Sequence, residues 1–205
     1  DTNPGASGGL YINNNIMYLH KNNVYFSATN GNSGYELWRT DGTDIGTLFV
    51  KDINPGSSGS NPQSFTSFGD VLFFKANDGS NGTELWTTDG SSTGTSMLKD
   101  IYAGGYSGNP NYLTLIGNTL YFSANDGTNY TELWKSDGTE EGTVMVRDIW
   151  NGSGNSYPYL LVTYNGILYF RAYNDTSGQE LWKSDGTEQG TQLALELTEG
   201  SASSY

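Results

Sequence analysis

The feature that most constrains the fold of this chain is an internal repeat with a period of 48 residues. The tripeptide Glu-Leu-Trp recurs four times without drift, beginning at Glu36, Glu84, Glu132 and Glu180. Four copies of this length account for nearly all of the 205 residues, so the sequence predicts one repeat domain over residues 1–205. Gly/Ser-rich segments at 1–9 and 198–205 form its ends.

Each copy carries the signals of four short strands. In the second copy, residues 63–68, 71–76, 84–88 and 95–101 are rich in β-branched and aromatic residues. Segments of Gly, Asn, Asp and Ser separate them, and no stretch of ten residues shows helical periodicity. The chain is therefore expected to be all-β.

A four-stranded sheet of this size cannot bury both of its faces alone. Stacking such sheets around an axis covers the faces and leaves only short edges exposed. The 48-residue period, with four strand signals per copy, therefore predicts a four-bladed β-propeller with four antiparallel strands per blade.

The repeated motif also resembles a known family. The stretches 84–90 (ELWTTDG) and 132–139 (ELWKSDGT) are similar to the ELWxxDGT repeat family of secreted and surface proteins of bacteria. The second copy departs from the pattern at Ser91, where the other copies have Thr43, Thr139 and Thr187. The resemblance implies an extracellular, propeller-like array and does not imply a reaction.

When the four copies are aligned, equivalent positions form columns. Two of these columns hold one residue type in every copy and have both a structural and a functional interpretation. An indole can fill the space between blades or stack on a sugar ring, and the tryptophans are Trp38, Trp86, Trp134 and Trp182. An Asp before Gly in a turn can accept backbone N–H bonds or serve as a metal ligand or acid, and these residues are Asp41, Asp89, Asp137 and Asp185. Repetition in every copy favours the structural role for both columns. The Glu of the motif is either a buried acceptor or an exposed strand residue.

The composition excludes several classes of function. The formal net charge of −13 makes nucleic acid an unfavourable partner. The sequence contains no run of 18 apolar residues, so no insertion into a membrane is predicted. The absence of Cys and the single histidine, His20, leave no thiolate nucleophile, Cys zinc site or multi-His metal site. His20 is expected at the surface. No cofactor is indicated, although loops such as 77–79 and 125–127 supply oxygens that could bind calcium, without a known calcium-binding spacing.

Positions that break the repeat indicate where the chain contacts other molecules. The Gly/Ser linkers between copies contain the aromatic residues Tyr102, Tyr106 and Trp150, which lack the periodic partners of a core and are candidate ligand-binding residues. Strand direction places the linkers and the loops between second and third strands on one face. Four Asn-x-Ser/Thr sequons in these loops are candidate glycosylation sites, namely Asn81, Asn129, Asn151 and Asn174.

Three functions follow from this reading, in order. The first is a non-catalytic extracellular structural or adhesive module, including a subunit of a surface or filamentous assembly, with other surface proteins, glycans or further copies as partners. Self-association would use the similar segments 1–8 and 196–205. The alternative is a lectin with one saccharide site per blade. A hydrolase comes third because no unique pair of carboxylates stands out, so the chain is not expected to be an enzyme.

Overall fold

The chain folds into four antiparallel sheets of four strands each. A computed structural model describes residues 17–195, and in every sheet the strands lie side by side in chain order. Sheet I contains β1 (Met17–His20), β2 (Asn23–Ala28), β3 (Glu36–Thr40) and β4 (Leu48–Lys51). Sheet II contains β5 (Gln63–Phe68), β6 (Val71–Asn77), β7 (Thr83–Thr88) and β8 (Ser96–Lys99).

The second half of the chain repeats this arrangement. Sheet III contains β9 (Asn111–Ile116), β10 (Thr119–Asn125), β11 (Thr131–Ser136) and β12 (Val144–Arg147). Sheet IV contains β13 (Tyr159–Tyr164), β14 (Ile167–Asn174), β15 (Gly178–Ser184) and β16 (Gln192–Leu195). The prediction of an all-β chain built from repeated four-stranded units is confirmed. No helix long and apolar enough to cross a membrane occurs in the part of the chain described.

The fourth strand of sheet II is shorter than the sequence predicts, covering Ser96–Lys99 rather than 95–101. At one end, the Thr95 hydroxyl donates to the Ser91 carbonyl at 2.6 Å, which keeps Thr95 in the preceding turn. At the other end, the Ile101 amide donates to the Glu84 carboxylate at 2.9 Å. Side-chain hydrogen bonds therefore end the strand at both sides.

The described residues divide into two compact units, the first ending at Ser107 and the second beginning at Gly108. In the first unit, the core lies between sheets I and II, where buried residues of the two sheets form one cluster. Its larger members are Tyr25, Leu37, Val50, Ile53, Phe65, Leu72, Phe74 and Trp86. Sheets I and II thus each bury one face against the other.

The second unit has a matching core between sheets III and IV. Its larger members are Tyr121, Leu133, Val146, Ile149, Leu168, Phe170 and Trp182. Several of these residues occupy the columns of the first core, for example Phe170 with Phe74 and Trp182 with Trp86. The 48-residue period is therefore a period of packing as well as of sequence.

The expectation that His20 lies at the surface is wrong. Its side chain is buried, with Nδ1 2.9 Å from the Ser67 hydroxyl and Nε2 3.3 Å from the Asp70 carbonyl. Both partners belong to the next copy of the repeat, so the imidazole ties the first hairpin of sheet I to that of sheet II. The segments expected to mediate self-association, 1–8 and 196–205, and the Gly/Ser-rich ends 1–9 and 198–205, lie outside the described residues.

Candidate functional site

The glutamates of the repeated motif are buried acceptors, which resolves the two roles that the sequence left open. The Glu132 side chain is fully buried, and its carboxylate accepts the Ile149 amide at 2.9 Å and the Ser156 amide at 3.2 Å. Glu36 accepts the equivalent amides of Ile53 and Ser60, each at 2.9 Å. The third strands of sheets I and III therefore fix the linkers that lead into the next copies of the repeat.

Burial dominates the ionisation of these glutamates. It raises the pKa of Glu132 to about 7, although the Ser156 hydroxyl and the two backbone amides favour the charged form. Burial raises the pKa of Glu36 for the same reason. These carboxyl groups are enclosed by the fold and bonded to it, which is a structural role rather than an arrangement for proton transfer to a ligand.

The aspartates of the repeated motif organise the turn between third and fourth strands. Asp137 Oδ1 accepts the backbone amide of Thr139 at 2.9 Å and its hydroxyl at 2.7 Å. The Thr139 hydroxyl in turn accepts the Gly142 amide at 2.9 Å. These bonds from the Thr139 hydroxyl and amide hold the pKa of Asp137 below its ordinary value.

The same turn tolerates the departure at Ser91 because only the hydroxyl is used. Ser91 donates its amide and hydroxyl to Asp89 at 2.8 and 2.7 Å, as the threonines do elsewhere.

Within residues 17–195, no group of three or more His, Asp or Glu side chains is arranged to hold a metal ion. The Asp78 carboxylate in the 77–79 loop accepts bonds from Ser80 and Asn81.

The four tryptophans of the motif are buried, each less than a tenth exposed. Trp86 and Trp182 belong to the two inter-sheet cores. The indole nitrogens of all four are enclosed and make no hydrogen bond to any described residue. Stacking of a sugar on Trp86 or Trp182 would require the two sheets of the unit to separate.

The three aromatic residues predicted in the linkers lie in different surroundings. Tyr102 and Tyr106 form a stacked pair, with ring centroids 4.8 Å apart and planes at 22°. Tyr106 is 65% exposed, so the pair presents an aromatic surface to solvent. Trp150 is half-buried, and its ring occupies the place where a side chain on Gly154 would lie. Trp150 is therefore folded onto its own linker.

The linkers adjoin the loops between second and third strands, as the strand directions imply. The Thr83 amide donates to the Ser107 hydroxyl at 2.9 Å, and the Thr131 amide donates to the Asn155 side chain at 3.0 Å. The asparagine side chains of the four sequons differ in their hydrogen bonds and exposure. The side-chain nitrogens of Asn81 and Asn129 each donate to an Asp at 2.8 Å. Asn174 accepts the Ser177 amide at 2.7 Å, and Asn151 is exposed.

A cleft of about 400 Å³ opens between sheets III and IV, within the second unit. Three tyrosines line it: Tyr112 from β9, and Tyr157 and Tyr159 from the linker and the start of β13. Tyr112 and Tyr159 have ring centroids 6.2 Å apart, and the Arg171 guanidinium lies 5.4 Å from the Tyr159 ring. We call this feature the tyrosine cleft.

The polar lining of the tyrosine cleft is rich in amides and hydroxyls and contains no charged side chain. Its side chains of this kind are Asn109, Asn111, Asn125, Ser123 and Thr131. Asn125 accepts the Gly127 amide through its carbonyl oxygen at 2.7 Å, which leaves its NH₂ group as a donor. The hydroxyls of the three tyrosines make no hydrogen bond to any residue in the described range.

Two of these tyrosines have left-handed backbone conformations. Tyr112 has φ of 58° and Tyr157 has φ of 45°. The same backbone recurs in other copies, but at the position of Tyr157 those copies have Asn61 and Asn109, the residue type best tolerated there. A bulky aromatic residue is disfavoured in this region, so the cleft retains its tyrosines despite local strain.

Sequence reasoning missed the tyrosine cleft. A signal was present, because Tyr157 stands where other copies have Asn, and Tyr159 where they have Gln63 and Asn111. Tyr112 similarly stands in a column with Ser64 and Leu160. The sequence-based prediction uses the breaks in the Gly/Ser stretches of the linkers, whereas Tyr157 lies at the end of a linker and Tyr112 and Tyr159 lie at the start of strands.

Comparison with known proteins identifies the fold and no family. No family model matches the sequence, and no curated protein is similar to it in sequence. Puromycin hydrolase, as an S511A mutant complexed with PGG, matches 86% of this chain over 28% of its own, with a TM-score of 0.55 and 15% identity. A second puromycin hydrolase structure matches 87% over 29% of its own chain, with a TM-score of 0.53 and 14% identity.

A structure from a study of two prolyl endopeptidases matches 84% of this chain over 24% of its own, with a TM-score of 0.51 and 11% identity. The chain therefore corresponds to less than a third of each of these proteins. Identities this low show a shared fold alone. The matched proteins are propeller-like, and the fold of this chain is accordingly β-propeller-like.

Proposed function

We propose that this chain is a non-catalytic, extracellular β-propeller module of four blades, which adheres to surface components or to further copies of itself. The observation that carries the proposal is a division of roles between two sets of side chains. The repeated Glu and Asp residues described above are bonded within the fold, whereas the aromatic residues that break the repeat include exposed ones such as Tyr106.

The stacked pair of Tyr102 and Tyr106 supports adhesion. Two stacked rings on a loop give a large, rigid contact surface that loses little conformational entropy on binding. The extracellular location rests on the resemblance of the repeated motif to secreted bacterial repeat proteins. The ring of four blades rests on the face-to-face packing of sheets I and II, and of sheets III and IV.

Adhesion is tested with beads coated with the 205-residue chain and incubated with encapsulated and unencapsulated bacterial cells. The matched variant is Y102N/Y106S, because Asn54 and Ser58 occupy these positions in the preceding copy. We expect bead retention to fall several-fold in this variant and to stay unchanged in Tyr164→Ile, which removes an exposed tyrosine elsewhere.

Sedimentation velocity on the same preparations measures self-association. A folded chain that neither retains cells nor self-associates would contradict the proposed function. Product release from polysaccharides or peptides incubated with the chain would contradict the non-catalytic part of the proposal. Solution X-ray scattering tests the four-bladed ring, which is expected to give a compact profile.

A further inference from the structure

We infer that the tyrosine cleft binds a neutral saccharide, at one site per chain. The inference rests on the proposed function and extends it by naming a site and a class of ligand. Its evidence is independent of the Tyr102–Tyr106 pair, which lies in the other compact unit.

The cleft has the size and the chemistry of a saccharide site. Its volume of about 400 Å³ falls in the range of about 300–1,000 Å³ that small-molecule sites occupy. A pyranose ring presents an apolar face of C–H groups and an edge of hydroxyls. The tyrosine rings suit the face, and the Asn, Ser and Thr side chains suit the edge because amides and hydroxyls both donate and accept.

Charge selects a neutral ligand. The lining contains no charged side chain, and the chain as a whole carries −13, so an anionic sugar would be repelled without a local cation to bind it. Arg171 does not supply that cation, because it donates to the Gln179 side-chain oxygen and lies against the Tyr159 ring. Arg171 is not among the residues that line the cleft.

Tyr112 and Tyr157 hold exposed rings on a left-handed backbone that other copies share, at Ser64 and Leu160 and at Asn61 and Asn109. In residues 17–195, nine non-glycine residues have positive φ, and three of them are tyrosines, at 112, 130 and 157. Tyr112 and Tyr157 are more than half exposed, so burial of their rings does not offset the strain. Packing therefore does not account for these two rings, and their place in the cleft leaves them open to a ligand.

A single site follows from the sequence of the other copies. The columns of Tyr157 and Tyr159 hold Asn and Gln in the second copy and Asn in the third, and the column of Tyr112 holds Ser and Leu. One aromatic site at the junction of sheets III and IV therefore takes the place of the expected lectin with one site per blade.

The test uses residues that the chain itself places in the same backbone. Tyr157→Asn, Tyr159→Gln and Tyr112→Ser each restore the residue of the second copy, so the variants retain the fold while removing a ring. Tyr164→Ile is the matched control, because Ile116 occupies its column and Tyr164 does not line the cleft. Thermal unfolding of every variant verifies that the fold is kept.

The 205-residue chain is titrated with maltose, cellobiose, xylobiose and chitobiose, and with digalacturonic acid as the anionic probe. Saturation-transfer NMR detects binding, and isothermal calorimetry gives the affinity and stoichiometry. We expect at least one neutral disaccharide to bind with one equivalent per chain, and each cleft variant to weaken it at least tenfold. The control should bind as the natural chain does.

Absence of binding by every disaccharide would overturn the inference, as would equal binding by the triple variant Y112S/Y157N/Y159Q. Preference for digalacturonic acid would overturn the assignment of a neutral ligand. Four equivalents per chain would overturn the single site. Each of these results leaves cell adhesion and self-association to be judged by their own measurements, so failure of the cleft is distinguishable from failure of the proposed function.

Discussion

The carboxylate of Glu132 and the hydroxyl of Ser156 meet at 2.6 Å, joining the third strand of one sheet to the linker that enters the next. Glu132 Oε2 also accepts the Ile149 amide at the other end of that linker. One buried carboxyl group therefore holds both ends of an eight-residue segment. The stability of this contact depends on the protonation of that group.

We expect the free energy of unfolding to fall as pH rises through 7. Burial raises the pKa of Glu132 from 4.5 to about 7, so the folded chain binds the proton more tightly than the unfolded chain. The stabilisation is complete below pH 4.5 and is lost through pH 7, by at most about 3 kcal/mol. Urea unfolding between pH 4 and 8.5 measures it. Glu132→Gln should flatten this dependence and the exposed control Glu141→Gln should not; equal slopes in both variants would contradict the assignment.

The turn aspartates predict the opposite trend in acid. Hydrogen bonds from Thr43 hold the pKa of Asp41 below its ordinary value, and the other three turns repeat this arrangement. Their stabilisation is present above the ordinary Asp pKa and is lost as pH falls below it. Unfolding free energy should therefore be greatest at mildly acidic pH. A monotonic rise of stability down to pH 2 would contradict this expectation.

Position 94 requires a glycine because the Asp89 carboxylate occupies the space that a side chain would need. A Cβ on Gly94 would lie 2.2 Å from Asp89 Oδ1, which is itself held by Ser91. Gly94→Ala should lower the melting temperature, and Asp89→Ala should reduce the additional effect of Gly94→Ala because the clash disappears. A double-mutant cycle by thermal unfolding measures this coupling. Strict additivity of the two substitutions would show that the contact does not limit stability.

The two classes of tryptophan should respond differently to truncation. Trp86→Ala removes a buried ring from the core between sheets I and II and should cost about 3–5 kcal/mol. Trp150→Ala removes a half-buried ring from a linker and should cost under about 1 kcal/mol. Trp86→Phe should cost less than Trp86→Ala, because the indole nitrogen makes no hydrogen bond with any described residue. Similar losses at Trp86 and Trp150 would contradict the distinction between core and linker.

Tyr130 occupies a glycine column, and its replacement should stabilise the chain. Gly34, Gly82 and Gly178 have φ of 66°, 74° and 72° at the equivalent positions, and Tyr130 has φ of 62°. Tyr130→Gly should raise the free energy of unfolding by about 1 kcal/mol, as measured by urea denaturation. Gly82→Ala is the converse control and should destabilise, since its Cβ would lie 1.8 Å from the Tyr106 carbonyl.

Asn151 should be the preferred glycan acceptor among the four sequons. Its side chain is exposed, whereas the amides of Asn81 and Asn129 must leave hydrogen bonds to Asp78 and Asp126 before they can react. Peptide mapping by mass spectrometry of native material should find the highest occupancy at Asn151. Higher occupancy at Asn81 or Asn129 would contradict the structural ranking.

The sheets were predictable from the sequence because each strand is encoded within a few residues. Alternation and turn residues located β5 and the hairpin that follows it, and the spacing of Trp86 and Trp134 fixed which strands are equivalent. These signals are local, so they survive without knowledge of the fold.

Contacts between copies were not predictable in this way. The sequence does not show that His20 is buried, because its partner Ser67 lies 47 residues away, and it leaves the role of Glu36 open, because Ser60 lies 24 residues away. The tyrosine cleft joins Tyr112 to Tyr159 across a similar distance. Such contacts require the order of sheets in space, which periodicity alone does not provide.

The backbone just before the first strand has a similar φ, of 51°, 48° and 45°, whether the side chain is Asn61, Asn109 or Tyr157. Its shape is thus set by the surrounding sheet and not by the residue that occupies it. A gene duplicated into tandem copies inherits several such positions at once, and each can diverge while the others preserve stability. New recognition can therefore arise here by a few point substitutions, and a combinatorial library at 157, 159 and 112 would be a practical way to select binders from this scaffold.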